Sequence, residues 1–81
     1  MSRGEKNPLV YVSHLSNSIR EKDLDQEFAK FGNIKSISLK NGFAFIEYED
    51  YRDADDAIEA MDGKTFEGQK LTVQHAGIYF K

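Results

Sequence analysis

Apolar and polar residues alternate along this chain in two rhythms. Leu9-Val10-Tyr11-Val12-Ser13 is a run of β-branched and aromatic residues, the make-up of a short strand. Further on the spacing lengthens: Leu24, Phe28 and Phe31 recur at i, i+4 and i+7, the period of a helix with one apolar face. Ser18, with Glu21 three residues later, predicts a capping box at its start, and Gly32 predicts a left-handed stop. The two-residue rhythm returns over Ile34 to Lys40, where Ile37 and Leu39 alternate with Ser36, Ser38 and Lys40. Asn41-Gly42 is a strong hairpin signal, and Phe43 to Tyr48 is the returning strand. Asp50 is placed to cap a second helix whose apolar face is Ala54, Ala57, Ile58 and Met61, with Gly63 ending it. Glu67-Gly68 predicts a turn, and Leu71 to Gln74 a last strand.

The order is β-α-β-β-α-β, which predicts an α+β, ferredoxin-like fold: a four-stranded antiparallel sheet with two helices on one face. Right-handed crossovers put both helices on the same side and leave the other side without cover from them. Side chains alternate along a strand, so only one parity can meet the helices. Ala44, Ile46 and Tyr48 suit small and aliphatic helix faces, which turns Phe43 and Phe45 outward. Val10 and Val12 likewise suit the core, which turns Tyr11 outward. If the first and third strands are neighbours, Tyr11, Phe43 and Phe45 form one aromatic platform. Rings left in water forgo roughly 1.5–3 kcal/mol each of possible burial, so the platform needs a reason. Base stacking is one, contributing ~1–3 kcal/mol per base whatever the base. Covering of the rings by Ile78-Tyr79-Phe80 is the other.

Composition and charge narrow the choice. The 81 residues suffice for one domain. Residues 1–8, ending in Asn7-Pro8, read as a flexible lead-in, residues 9–76 as the domain and residues 77–81 as a C-terminal extension. No repeat or low-complexity tract interrupts them. With no cysteine, disulfide frameworks, thiolate zinc sites and cysteine nucleophiles are excluded, and a reducing compartment fits. No apolar run has the length of a membrane span, so no membrane partner is expected. His14 and His75 have no third ligand, so neither a metal nor a cofactor is expected. Asp55-Asp56 and the acids from Glu47 to Asp50 come with no nucleophile and read as a solvated face, so the chain is not expected to be an enzyme. A net charge of −3 argues against a generic polyanion binder. The charge is unevenly spread, however. The predicted helices, about residues 19–31 and 51–62, carry nine acids and four bases, whereas the rest carries five acids and seven bases. The negative charge therefore lies behind the sheet. Lys35, Lys40, Lys70 and Lys81 are candidate phosphate neighbours, few enough to predict a shallow salt dependence.

Asn41-Gly42-Phe43-Ala44-Phe45-Ile46-Glu47-Tyr48 resembles the RNP1 octamer of the RNA recognition motif, and Val10-Tyr11-Val12-Ser13-His14-Leu15 resembles its RNP2 hexamer. The resemblance implies stacking of bases on Tyr11 and Phe43, with Phe45 against the sugars. It implies single-stranded RNA as the partner and an RNA-binding set completed by Ser13, Ser38, Lys40, Asn41, Gln74, His75 and Ala76. Asn41 stands where the family has Lys or Arg, which removes a phosphate contact that Lys40 can supply from next door. His14, where Asn is frequent, reads as structural. Specificity would come from main-chain groups and from Ser36, Ser38, Gln74 or His75.

Leu39 to Phe45, Arg52-Asp53-Ala54-Asp55-Asp56-Ala57, Val73-Gln74-His75-Ala76 and Arg20-Glu21-Lys22-Asp23-Leu24 together resemble the first such motif of serine/arginine-rich splicing factors. That resemblance implies pre-mRNA splicing or mRNA processing, splicing proteins as further partners, and a nuclear location, with shuttling to the cytoplasm allowed. The chain is expected to be a monomer, and either an excised domain or a lone-domain relative, since it holds no arginine–serine tract. The alternative is a protein-interaction module that binds a peptide through the acidic helix face or the 64–66 loop. Lys64-Thr65-Phe66 resembles the Arg-x-Phe loop of protein-binding relatives, although Phe66 also reads as a core plug.

Overall fold

The structure is a computed structural model that describes residues 7–76. Strand β1 (Leu9–Ser13) is followed by helix α1 (Glu21–Phe28) and a single 3-10 turn (Ala29–Phe31). The hairpin of β2 (Ile34–Leu39) and β3 (Phe43–Tyr48) comes next, then helix α2 (Tyr51–Met61). A two-residue-stranded hairpin, β4 (Thr65–Phe66) and β5 (Gln69–Lys70), leads into β6 (Thr72–His75). The main sheet has the order β2-β3-β1-β6, and its pairs are all antiparallel. This is the α+β, ferredoxin-like arrangement expected.

One parity of each central strand is sealed. Val10, Val12, Ala44, Ile46, Tyr48 and Val73 form a single core with Leu24 and Phe28 of α1 and Ala54, Ala57 and Met61 of α2. Full burial of each large aliphatic or aromatic side chain here stabilises the fold by roughly 1.5–3 kcal/mol. Tyr48 is 1% exposed, and its hydroxyl donates to the Phe28 carbonyl at 2.6 Å. Burial, with the Asp53 carboxylate adding to it, pushes the Tyr48 phenol pKa upward.

The two helix starts differ. Asp50 caps α2 as expected, accepting from the Arg52 amide at 2.9 Å. Its carboxyl also meets the Arg52 guanidinium at 2.8 Å, and those two hydrogen bonds hold its pKa below the usual carboxylate value. The Ser18–Glu21 box predicted for α1 does not form. Ser18 donates its amide to Ser16 Oγ, and Ile19 donates to the Ser16 carbonyl, in a turn that seats Ile19 in the core. The helix therefore starts two residues later, with Arg20 as its extended N-cap. Arginine has no acceptor to offer. Asp23 supplies the one that is needed, reaching back to the Arg20 amide at 3.0 Å.

Gly32 also has a different reason from the one predicted. Its backbone (φ 158°, ψ −179°) is not a left-handed helix stop. A Cβ at this position would fall on the Asp53 side chain, so glycine lets the end of the α1 segment approach the first turn of α2. Asn7 and Pro8, grouped with the lead-in on sequence grounds, are bonded into the sheet. Asn7 Nδ2 donates to the Ala76 carbonyl at 2.6 Å, Asn7 Oδ1 accepts from the Leu9 amide, and the Pro8 carbonyl accepts from the Tyr48 amide. Residues 1–6 and the 77–81 extension lie outside the described residues.

Candidate nucleic-acid interface

The register sets out the face opposite the helices as a grid. Ser38, Phe45, Tyr11 and Gln74 stand side by side across the four strands. In the next row Phe43 of β3 stands beside Ser13 and Thr72, and Lys40 bonds across the β2–β3 hairpin to Phe43. The row on the other side holds Ser36, Glu47 and Leu9. Three rings thus occupy the middle of the face, bordered by hydroxyl and amide side chains.

The rings touch one another. Centroids lie 5.4 Å apart for Tyr11 and Phe45, 6.0 Å for Tyr11 and Phe43, and 5.9 Å for Phe43 and Phe45. Phe43 and Phe45 meet edge to face at 89°, and Tyr11 is tilted against both. Distances and tilts of this order are favourable for aromatic pairs, so the rings steady one another. All three remain half-buried on a face that the helices do not cover. Gly42, with φ 87°, closes the hairpin beside them, and its carbonyl accepts from the Leu15 amide at 2.9 Å. That ties the turn bearing Lys40 and Asn41 to the end of β1.

Of the site residues expected from sequence, Tyr11, Phe43, Phe45, Ser13, Ser38 and Gln74 share this face, and Lys40 and Asn41 are exposed at its hairpin end. The two remaining residues stand differently. His75 lies opposite Val10, on the parity that faces the helices. Its Nε2 sits 2.9 Å from Asp55 Oδ1 of α2, and the two side chains are only 9% and 7% exposed. The imidazole is therefore removed from the open face. Asp55, expected on a solvated face, is its buried partner, while Asp56 is exposed. Ala76 has the parity of Thr72 and Gln74 but is itself buried; its amide donates to the Leu9 carbonyl and its carbonyl accepts from Asn7. Both of its backbone polar groups thus have partners within the domain. Parity with Val73 was the signal that places His75 inside.

Sequence reasoning left out three open-face residues: Leu9, Thr72 and Glu47. Thr72 Oγ1 is 3.1 Å from Nδ1 of His14, an exposed residue with a left-handed φ of 66° at the end of β1. Among the candidate phosphate neighbours, Lys35 is exposed where the β2–β3 register shifts, whereas Lys70 sits on the separate β4–β5 hairpin. Lys81 and the Ile78-Tyr79-Phe80 segment considered as a cover fall outside the described residues. Phe66 packs against the core, as its reading as a plug expects. Among the described residues no group of three His, Cys, Asp or Glu could hold a metal ion, and no helix is long and apolar enough to cross a membrane.

Residues 10–72 match the family model described as the RNA recognition motif. The chain is 43% identical over 75 residues to "Probable splicing factor, arginine/serine-rich 3" of Caenorhabditis elegans, covering 88% of this chain and 29% of that protein. It is 44% identical over 69 residues to human "Serine/arginine-rich splicing factor 4", covering 85% of this chain and 14% of that protein. The chain thus spans less than a third of either relative. Among solved structures it superimposes on "Pes4 RRM3 Structure" with a TM-score of 0.84 at 29% identity, covering 86% of this chain and 92% of that one.

Proposed function

The chain belongs to the RNA recognition motif family, and from that footing we propose that the open face of its sheet binds short single-stranded RNA. The observation that carries this reading is the contact cluster of Tyr11, Phe43 and Phe45 at the centre of that face, turned away from both helices. Tyr11 and Phe43 take successive bases, and Phe45 lies against the sugars between them. Ser13, Ser38 and Gln74 border the rings with groups that can meet base edges, while Lys40 and Asn41 flank the strand at the hairpin. The acids of the two helices lie behind the sheet, so the overall charge of −3 does not oppose a phosphate chain on the front.

The names of the relatives support a wider role. The domain, residues 9–76 with Asn7 and Pro8 bonded to it, serves a pre-mRNA splicing or mRNA-processing factor of the serine/arginine-rich type. It acts as a monomer in the nucleus, with splicing proteins as further partners.

The test is a titration of the chain with randomised four-nucleotide RNA, followed by NMR. Phe43→Ala with Phe45→Ala should weaken binding at least ~5-fold, because the lost base stack alone removes ~1–3 kcal/mol and the lost sugar packing adds to it, while the amide spectrum stays folded. Unchanged affinity in that variant would reject the reading. Shifts confined to residues 19–31 or 64–66 on adding a peptide, with none on the sheet with RNA, would favour the peptide-binding alternative.

A further inference from the structure

We propose that Glu47 reads the base at one end of the platform, selecting guanine through its Watson–Crick edge. The inference rests on the reading of the open face as an RNA-binding surface and gives it a base preference. Glu47 is on β3, two residues beyond Phe45, so both project from the same face. Same-face neighbours along a strand are about 7 Å apart, within reach of the edge of a base lying on the Phe45–Tyr11 end of the cluster. Leu9 of β1 and Ser36 of β2 stand on either side of it.

Among the described residues, Glu47 is the one acid in the three rows of paired residues that make up this face. Lys40 stands at the opposite end, next to Phe43 across the hairpin. The face is therefore polarised: phosphates are drawn toward the Lys40 end and repelled at the Glu47 end. A carboxylate accepts hydrogen bonds and donates none. What an RNA can bring to it is a donor, and the four bases differ in how they present donors. Guanine offers N1–H and N2–H side by side, which matches the two oxygens of a carboxylate. Adenine and cytosine offer one amino group beside a ring-nitrogen lone pair that faces the second oxygen. Uracil offers a single N–H between two carbonyl oxygens. The order of preference is guanine first and uracil last.

The surroundings leave the carboxylate open to a ligand. Ser36 Oγ lies 3.4 Å from Glu47 Oε1, longer than an ordinary O–H···O bond, so the carboxylate keeps its acceptor capacity for a ligand. Glu47 is half-buried on the open side and belongs to no part of the helix-side core. Glu47→Gln keeps the shape but replaces one acceptor by a donor, so it should leave the fold intact and change only what the site selects.

The experiment titrates the unaltered chain and Glu47→Gln with RNA tetranucleotide pools in which one position at a time is fixed as G, A, C or U. NMR signals of the Tyr11 and Phe43 rings report stacking, and those of Glu47 and Ser36 report the edge contact. At one position the unaltered chain should favour guanine over uracil roughly tenfold, the size expected of a bidentate contact. In Glu47→Gln that preference should fall below about threefold, with the ring shifts retained. Ring shifts without a guanine preference would overturn the proposal. So would a preference that survives Glu47→Gln, or a loss shared equally by all four pools, which marks a sugar hydroxyl as the partner. If no pool moves the ring signals, the failure belongs to the RNA-binding reading itself.

Discussion

Tyr48 and Tyr11 put the same side chain on opposite faces of one sheet. Tyr48 is 1% exposed and donates its hydroxyl to a carbonyl at the end of α1. Tyr11 lies half-buried among Phe43 and Phe45, and Gln74 and Phe45 are its neighbours across the strands. On the covered side a phenol is kept only because its polar end finds a fixed protein acceptor, since an unpaired buried hydroxyl is costly. On the open side nothing in the core requires the ring. The same division runs through the sheet: Ile46 against Phe45 on β3, and His75 against Gln74 on β6. One face answers to stability and the other to a ligand, and the difference should separate in measurements.

The widest separation is expected between two phenylalanines. Phe28 is fully buried in the helix-side core, and Phe28→Ala should cost ~3–5 kcal/mol by urea denaturation, through lost burial and the cavity left behind. Phe43→Ala forfeits contacts with two neighbouring rings and should cost about 1 kcal/mol. A comparable loss from both would mean that the open rings belong to the core after all. RNA binding should show the reverse order, with the Phe43 variant weakened and Phe28 variants affected only as far as they unfold.

The covered and open faces were legible in the sequence wherever the signal was local. The Asn41-Gly42 turn, the Asp50 cap and the parity of Val10-Tyr11-Val12 and Phe43 to Tyr48 depend on neighbours a few residues away, and the expected elements formed there. What escaped depends on distant partners. Asn7 reads as a loop residue until Ala76, 69 positions on, comes beside it. Asp55 reads as one of several helix-surface acids until β6 delivers His75. Ser18 lost its capping role because Ile19 is needed in the core, a demand of tertiary packing. Parity with Val73 places His75 inward, whereas the resemblance to the family implies a contact at the strand end, and the structure follows the parity. Glu47 was legible as an outward residue on β3, yet an acid on a surface meant for a polyanion draws no attention until its neighbours are known.

A smaller separation is expected between His75 and Gln74. His75→Ala removes a buried partner of Asp55 and should cost ~1–3 kcal/mol of stability, with little effect on the open face. Gln74→Ala should leave stability within about 0.5 kcal/mol, since the side chain is exposed. Its RNA affinity should fall by roughly three- to tenfold, the loss of about one hydrogen bond. Paired melting curves and RNA titrations of both variants check this. Equal loss of RNA affinity in His75→Ala, with the fold intact, would return the imidazole to the ligand side.

The smallest effect lies in the tyrosine pair, and pH sharpens it. Tyr48→Phe keeps the ring but removes the donor to the Phe28 carbonyl, for a cost of about 1 kcal/mol. Tyr11→Phe should change stability by less than about 0.5 kcal/mol and preserve stacking. Burial raises the pKa of the folded Tyr48 phenol above the 10.0 of a free tyrosine, so the folded state keeps its proton where the unfolded chain has begun to lose it. The stabilisation this group gives is whole below pH 10 and declines as pH rises beyond it. Tyr48→Phe lacks the titrating group, so its stability deficit relative to the unaltered chain should narrow above pH 10. Taking the difference between the two cancels the lysines and other groups common to both. A deficit that stays constant from pH 8 to pH 11 would show that the Tyr48 hydroxyl titrates as freely in the fold as outside it, and the contrast between the two faces would lose its chemical basis at this pair.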